Sequence, residues 1–308
     1  LAFFQQLRQL FAGAPIPVQD LSFGLLDALG IKLLLQQKQW SQFEAIAAGL
    51  APDDFTRLLD GLCLTAEHSA LLASYQQAGN SELRHLVAGV HATWLAWQAR
   101  SGAYGRELSQ QQIEGFAAFL SEARQQLNRP FARPLFQAEA AARMVRVAMG
   151  LGEPEMAQEA FAHCLAANPT HLQGHLFYFN FRTPKWYGSE DALEDFVDQA
   201  PTAELRKLLQ SMYLVELYSE VSDSADIVKQ KFRNDNAPRI TSLLPLQPPP
   251  ATSLYTVYLA NYLACLHHIL GQFDRRNAFL SKLGPAITAY PWLYFGFDWQ
   301  AVQKLAKE

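Results

Sequence analysis

The sequence predicts an all-α protein of tetratricopeptide-like antiparallel helix hairpins, stacked into a solenoid or superhelix. Three observations predict it. Ala and Leu supply 90 of the 308 residues and Val, Ile and Thr only 29, so helix formers abound while the β-branched side chains that suit a pleated surface are scarce. Apolar residues recur with helical period, punctuated by Ser, Asp, Pro and Gly at hairpin spacing. The stretch from Gly152 to Pro169 sets Ala157, Phe161, Leu165 and Pro169 at the offsets used by the second helix of a tetratricopeptide-type hairpin. In that reading Gly152 allows the tight turn, Ala157 lets two helices approach, Phe161 fills the gap between them, and Pro169 ends the second helix.

The elements follow in order. Asp20 opens a helix through Leu25, Leu26, Leu29, Leu33 and Leu34, with a break before Trp40. Ser41 to Ala48 reads as its partner. Pro52-Asp53-Asp54 suits the next start, since proline fits a first helical turn and carboxylates favour the positive end of the helix dipole. Another helix begins after Thr65. Ser81 caps a long helix with the stripe Leu83, Leu86, Val90, Trp94 and Trp97, interrupted at Gly102 and Gly105. Ser109 and Gln112 form a capping-box pattern for Ile113 to Leu127, and Asn128-Arg129-Pro130 ends that helix. Pro134 starts the helix Leu135 to Met149, and Gly150-Leu151-Gly152 turns into the hairpin helix. A weaker hairpin surrounds Leu270-Gly271-Gln272-Phe273, with Arg276 where a small residue is expected.

These elements predict a helical array over 1–238, a proline-rich linker over 239–253 containing Pro245, Pro248, Pro249 and Pro250, and a C-terminal helical cap over 254–308 packed on the array. The cap carries the densest aromatic cluster, Pro291 to Trp299. Its default role is to cover the end of the array, and an exposed partner-binding patch is the sharper alternative.

Composition bounds the function. A net charge of −4 argues against a general nucleic-acid binder, which needs a basic face. Cys63, Cys164 and Cys265 are odd in number, far apart and form no C-x-x-C, which fits packed thiols in a reducing cytoplasm. Leu1 to Phe11 carries Gln5, Gln6, Arg8 and Gln9, so no secretory signal is expected there. Leu254 to Leu270 superficially resembles a membrane span, but it falls short of about 20 apolar residues and carries Asn261, His267 and His268. A buried central helix is expected, and no membrane contact.

Three blocks occur in succession: Ala96-Trp97-Gln98-Ala99-Arg100-Ser101-Gly102, the Gly152 to Pro169 hairpin, and Pro184-Lys185-Trp186-Tyr187-Gly188-Ser189. Over roughly Lys38 to Gln199 the chain resembles a bacterial family known as domain of unknown function 4034. Ser101 intrudes in the first block, and Tyr187 stands where the family has glycine. The resemblance implies a helical-repeat fold and a bacterial origin, with no chemistry to carry over.

Few residues announce chemistry. No P-loop, dinucleotide glycine signature, G-x-S-x-G or zinc-finger spacing occurs. Ser189, ahead of Glu190 and Asp191, reads as a helix cap. His171 and His175 lie one helical turn apart, but a metal needs further ligands, and His163 is the sole neighbour in sequence. Scattered Glu and Asp offer no way to choose an acid–base pair. No cofactor or metal is expected. Trp94 and Trp97 read as core, and Arg100, three residues from Trp97, is placed to stack on it or to pair with an acid. The expectation is a non-enzymatic module binding a protein or peptide, with Arg100, Lys185, Trp186, Trp292 and Trp299 as candidate contacts. The rivals are an immunity-type inhibitor of a toxin and an enzyme of unrecorded class with a pocket in the array.

Overall fold

In a computed structural model of the chain, the structure describes residues 19–100 and 108–306. Among the described residues sixteen α-helices, with two short 3-10 helices, make the structure 73% helical, and no strand occurs. The Leu1–Phe11 stretch and the expected interruption at Gly102 and Gly105 lie outside the described residues. The chain forms two compact units, one ending at Glu190 and the other starting at Asp191.

In the first unit, both oxygens of Asp20 accept backbone N–H bonds, from Ser22 at 2.9 Å and Gly24 at 2.7 Å. Two short helices follow, α1 (Leu25–Ala28) and α2 (Ile31–Gln36), where the sequence suggests one. Gly30, at φ +63, takes a left-handed conformation that interrupts the run. Next come α3 (Trp40–Ala48), α4 (Pro52–Cys63) and α5 (Ser69–Gln77). Ser81 accepts the Arg84 N–H at 3.4 Å at the start of α6 (Glu82–Arg100). The capping box of α7 (Gln110–Leu127) is complete. Ser109 Oγ accepts from the Gln112 amide at 3.3 Å, and Gln112 Oε1 accepts from the Ser109 amide at 3.0 Å. The unit continues with α8 (Pro134–Leu151), α9 (Pro154–Ala167) and α10 (Leu172–Phe181).

Packing follows sequence neighbours: α6 lies along α7, α8 lies along α9, and α8 also touches α6, α7 and α10. Close approach needs small residues at the crossings. A Cβ at Gly89 of α6 would sit 2.5 Å from Leu127 Cγ of α7, so the glycine sets that helix spacing. Ala157 is fully buried in the α8–α9 hairpin as expected, and Gly152 caps α8 at φ +76. Phe161 differs from the expectation. Its ring stacks on Tyr178 of α10 at 4.0 Å and meets His175 edge-on at 5.3 Å, so its aromatic contacts lie with the following helix.

The second unit contains α11 (Glu190–Asp198), α12 (Ala203–Val221), α13 (Asp226–Leu243), α14 (Leu254–Ile269), α15 (Phe273–Leu283) and α16 (Trp299–Leu305). The division at Glu190 and Asp191 differs from the expected array over 1–238, and helix α13 continues through Pro238 into the expected linker. Proline removes one N–H bond from the helix, but Ile240 and Leu243 bury their side chains in the last turn. Arg239 further pairs with Glu194 at 2.8 Å. Helix α14, the first of the expected cap over 254–308, packs on α12 as well as on α15.

No described helix is long and apolar enough to cross a membrane. Helix α14 is the buried centre of its unit, and it spends its one internal amide there. Asn261 Nδ2 donates to the carbonyls of Val257 (2.9 Å) and Ala286 (3.1 Å). Its Oδ1 accepts from the Thr288 amide (3.0 Å) and from Trp292 Nε1 (3.4 Å). Asn261→Ala strips acceptors from two buried donors, so urea unfolding followed by tryptophan fluorescence is expected to show a loss of about 3 kcal/mol.

Candidate functional site

Two clusters in the first unit concentrate polar chemistry, one sealed in the core and one at the surface. The core cluster arises from i,i+4 pairs on two helices: Thr56 and Asp60 on α4, Glu139 and Arg143 on α8. Glu139 has no exposed surface. Its Oε1 accepts from Arg143 Nε at 2.7 Å and lies 2.6 Å from Nη2. Its Oε2 accepts the Thr56 hydroxyl at 2.6 Å and His171 Nε2–H at 3.1 Å. His171 heads α10, and its Nδ1 accepts the Gly174 amide at 3.1 Å, which leaves the ring proton on Nε2. Arg143 Nη2 reaches Asp60 Oδ1 at 2.7 Å, off the line of a good hydrogen bond.

Two carboxylates therefore share one guanidinium. Burial opposes the charge on Glu139, but Arg143, His171 and Thr56 outweigh it and hold the carboxyl down at about 2. Burial pushes Asp60 the other way, up from its usual value; Arg143 pulls against that and the Glu139 charge adds to it. A cleft of about 60 Å³ reaches Asp60 past Asp20, Gly61, Thr65 and His68. That is room for a water or two and too little for a substrate. The cluster ties α4, α8 and the start of α10 together.

The two imidazoles of the His171-x-x-x-His175 spacing face different partners. His171 serves Glu139, while His175 Nδ1–H donates to the His171 carbonyl at 2.9 Å. Among the described residues no three His, Cys, Asp or Glu side chains group as metal ligands. Cys63, Cys164 and Cys265 are buried and unpaired, and burial pushes each thiol up, Cys164 to about 12, so none is a ready nucleophile.

The surface cluster joins the end of α6, α7, α8 and the turn after α10. Trp97 meets Trp186 edge-on at 5.7 Å and Phe116 at 5.3 Å. The Arg146 guanidinium lies 3.6 Å from the Trp97 ring centroid. Arg100 stacks on Trp97 as expected (5.5 Å) and also lies near Trp186 (5.8 Å) and Phe116 (6.0 Å). Half-buried, it is desolvated enough that its affinity for its proton falls. It makes no ion pair or hydrogen bond among the described residues.

The Pro184 to Ser189 block is what delivers Trp186. The amides of Trp186 and Gly188 donate to the Thr183 carbonyl at 3.0 and 3.3 Å, and the Tyr187 amide donates to the Phe181 carbonyl at 3.2 Å. Tyr187 stacks on Phe181 at 5.4 Å, and its hydroxyl donates to the Met149 carbonyl at 3.2 Å. A Cβ at Gly188 would fall 1.8 Å from the Arg182 carbonyl oxygen, so only glycine closes this turn.

Of the five sequence candidates, Arg100 and Trp186 thus meet in one corner, and Lys185 is exposed on the same turn. Trp292 does not qualify: it is completely buried, with Nε1–H directed to Asn261. The C-terminal aromatics close inward, because Phe273, Trp292, Phe295 and Phe297 surround His268 at 5.1 to 6.2 Å. Burial and the Arg276 and Arg233 cations bring that imidazole down to about 4. Trp299 is half-buried in α16. A concavity of about 760 Å³ beside α13 is walled by that one helix and brings no second element's groups to bear.

Sequence reasoning missed the Glu139 cluster and the part played by Arg146. A usable signal was present for the first: lone charges stand inside apolar runs, Asp60 after Leu58-Leu59 and Glu139 between Ala138 and Ala140. Nothing in the sequence marks Arg146 as a partner of Trp97, because the two lie on different helices. No family model, curated protein or solved structure matches this chain.

Two outcomes follow. A carboxyl held below its unfolded value stabilises the fold above about 4.5, and the benefit fades as pH falls toward 2. The raised Asp60 acts with the opposite sign, relieving strain as it takes up a proton. Glu139→Gln is therefore expected to cost about 3–5 kcal/mol near neutrality. That deficit should shrink steadily in urea titrations from pH 4.5 downward, whereas a pH-independent deficit would show that the carboxylate charge is not what matters. Gly188→Ala should cost about 3 kcal/mol and alter the near-ultraviolet circular dichroism of the Trp97–Trp186 pair, because the turn must open to admit the methyl group.

Proposed function

We propose that this chain is a non-enzymatic module that binds a protein or peptide segment, and that the Trp97–Arg100–Trp186 corner is its contact surface. The observation that carries this reading is the half-buried guanidinium set against three rings, with no carboxylate paired to it among the described residues. Large rings and arginine are the side chains that dominate binding energy at protein interfaces. The other polar cluster supports the reading by contrast, since Glu139 and Arg143 are sealed and adjoin no cavity of substrate size. Helix α8, in contact with α6, α7, α9 and α10, supports a stacked-hairpin array, the kind of scaffold that offers long contiguous surfaces. A reducing, cytosolic setting in a bacterium belongs to the same proposal, supported by three buried free thiols and by the sequence blocks described above.

A displayed random-peptide library panned on the whole chain tests it. Wild-type protein is expected to enrich a recognisable sequence class. Trp186→Ala, with its helical circular dichroism intact, should bind those peptides at least tenfold more weakly. Enrichment that ignores Trp186, or no enrichment at all, would defeat the proposal.

A further inference from the structure

The corner also specifies what chemistry its ligand must carry. Arg100 ends α6, and its guanidinium lies within 6.0 Å of the centroids of Trp97, Phe116 and Trp186. Rings against its faces attract the positive charge but satisfy none of its N–H groups. Among the described residues no oxygen takes those N–H groups up. A guanidinium partly withdrawn from water with unspent donors costs free energy in the empty protein, and a planar acceptor of opposite charge recovers that cost.

Charge complementarity selects the sign of the ligand. The chain carries a net charge of −4, yet this corner gathers Arg100 and Arg146 at Trp97, with the exposed Lys185 next to Trp186 in the chain. Geometry selects the class of anion. A guanidinium flanked by aromatic faces, with no acceptor among the described residues, matches a planar carboxylate, which pairs with it edge to edge through two parallel N–H···O bonds. Phosphate is more strongly hydrated and is usually held by clusters of cationic donors. Arg146 is unsuited to that second role, because its guanidinium is already laid over Trp97 at 3.6 Å.

Resting on the binding reading above, we propose that the Trp97–Arg100–Trp186 corner receives an acidic peptide segment, in which an Asp or Glu carboxylate pairs with the Arg100 guanidinium and a neighbouring apolar side chain lies on Trp186. The aromatic contact supplies area, and the carboxylate supplies register and selectivity.

The test uses the full chain and three fluorescein-labelled hexapeptides: alternating Glu and Phe, alternating Gln and Phe, and alternating phosphoserine and Phe. Fluorescence anisotropy is expected to rank the Glu peptide at least tenfold tighter than the Gln peptide. Arg100→Gln should erase that difference while weak binding to the rings persists. Arg100→Lys should restore only part of it, because an ammonium lacks the planar fork. Trp186→Ala should weaken the Glu and Gln peptides alike. Equal affinity of wild-type protein for those two peptides would overturn the carboxylate assignment while leaving the library result, and so the binding reading, standing. Tighter Arg100-dependent binding of the phosphoserine peptide would overturn it in favour of a phosphate site.

Discussion

Glu139 has no contact with water, and a carboxylate so placed persists as an ion only where the fold brings it a cation and several donors. The first unit meets that demand with groups from three helices. Arg143 comes from the next turn of α8, Thr56 from α4, and His171 from the head of α10. Each is committed in turn, Arg143 to Asp60 and His171 to the Gly174 amide. Displacing any of these helices would leave a charge or a donor stranded in the core. Apolar packing alone tolerates small slides between helices, whereas hydrogen bonds of 2.6 to 3.1 Å tolerate almost none. The cluster thus fixes the mutual register of α4, α8 and α10, and the turn after α10 is held from that base.

That turn connects the core to the surface. Thr183 is fully buried and anchors the turn, Tyr187 ties it to the end of α8, and Gly188 lets the backbone close. The outcome is that Trp186, far from Trp97 in sequence, stands edge-on to it with Arg100 beside both. The two clusters treat cations in opposite ways. In the core the Arg143 guanidinium is surrounded by two carboxylates, and at the surface the Arg100 guanidinium has rings and, among the described residues, no carboxylate.

The second unit shows the same economy with an amide instead of an ion pair. Asn261 uses all its hydrogen-bonding capacity inside α14's surroundings and thereby fastens the segment from Ala286 to Trp292. With Trp292 pinned, Phe295 and Phe297 fold over His268. A stretch that looks in sequence like an adhesive aromatic surface is thereby largely consumed in packing. Composition reports how many rings a segment has, and only the fold reports which way they face.

By itself the sequence determined the class of the protein and most helix boundaries, because those depend on local forces. The scarcity of β-branched side chains, the capping box at Ser109, the proline starts of α4 and α8, and the Gly152 stop act within one or two turns of chain. The stacking of Arg100 on Trp97 was readable for the same reason, being a contact between residues three apart on one helix. Tertiary structure alone decided that Glu139 and Asp60 would share Arg143, that Trp186 and Arg146 would join Trp97, and that Trp292 would turn inward. It also decided where one compact unit gives way to the next, since the prolines after Leu244 break a helix but do not unpack α14 from α12. Each of these depends on which helices come to lie together, and no residue pattern within a single helix encodes its neighbour.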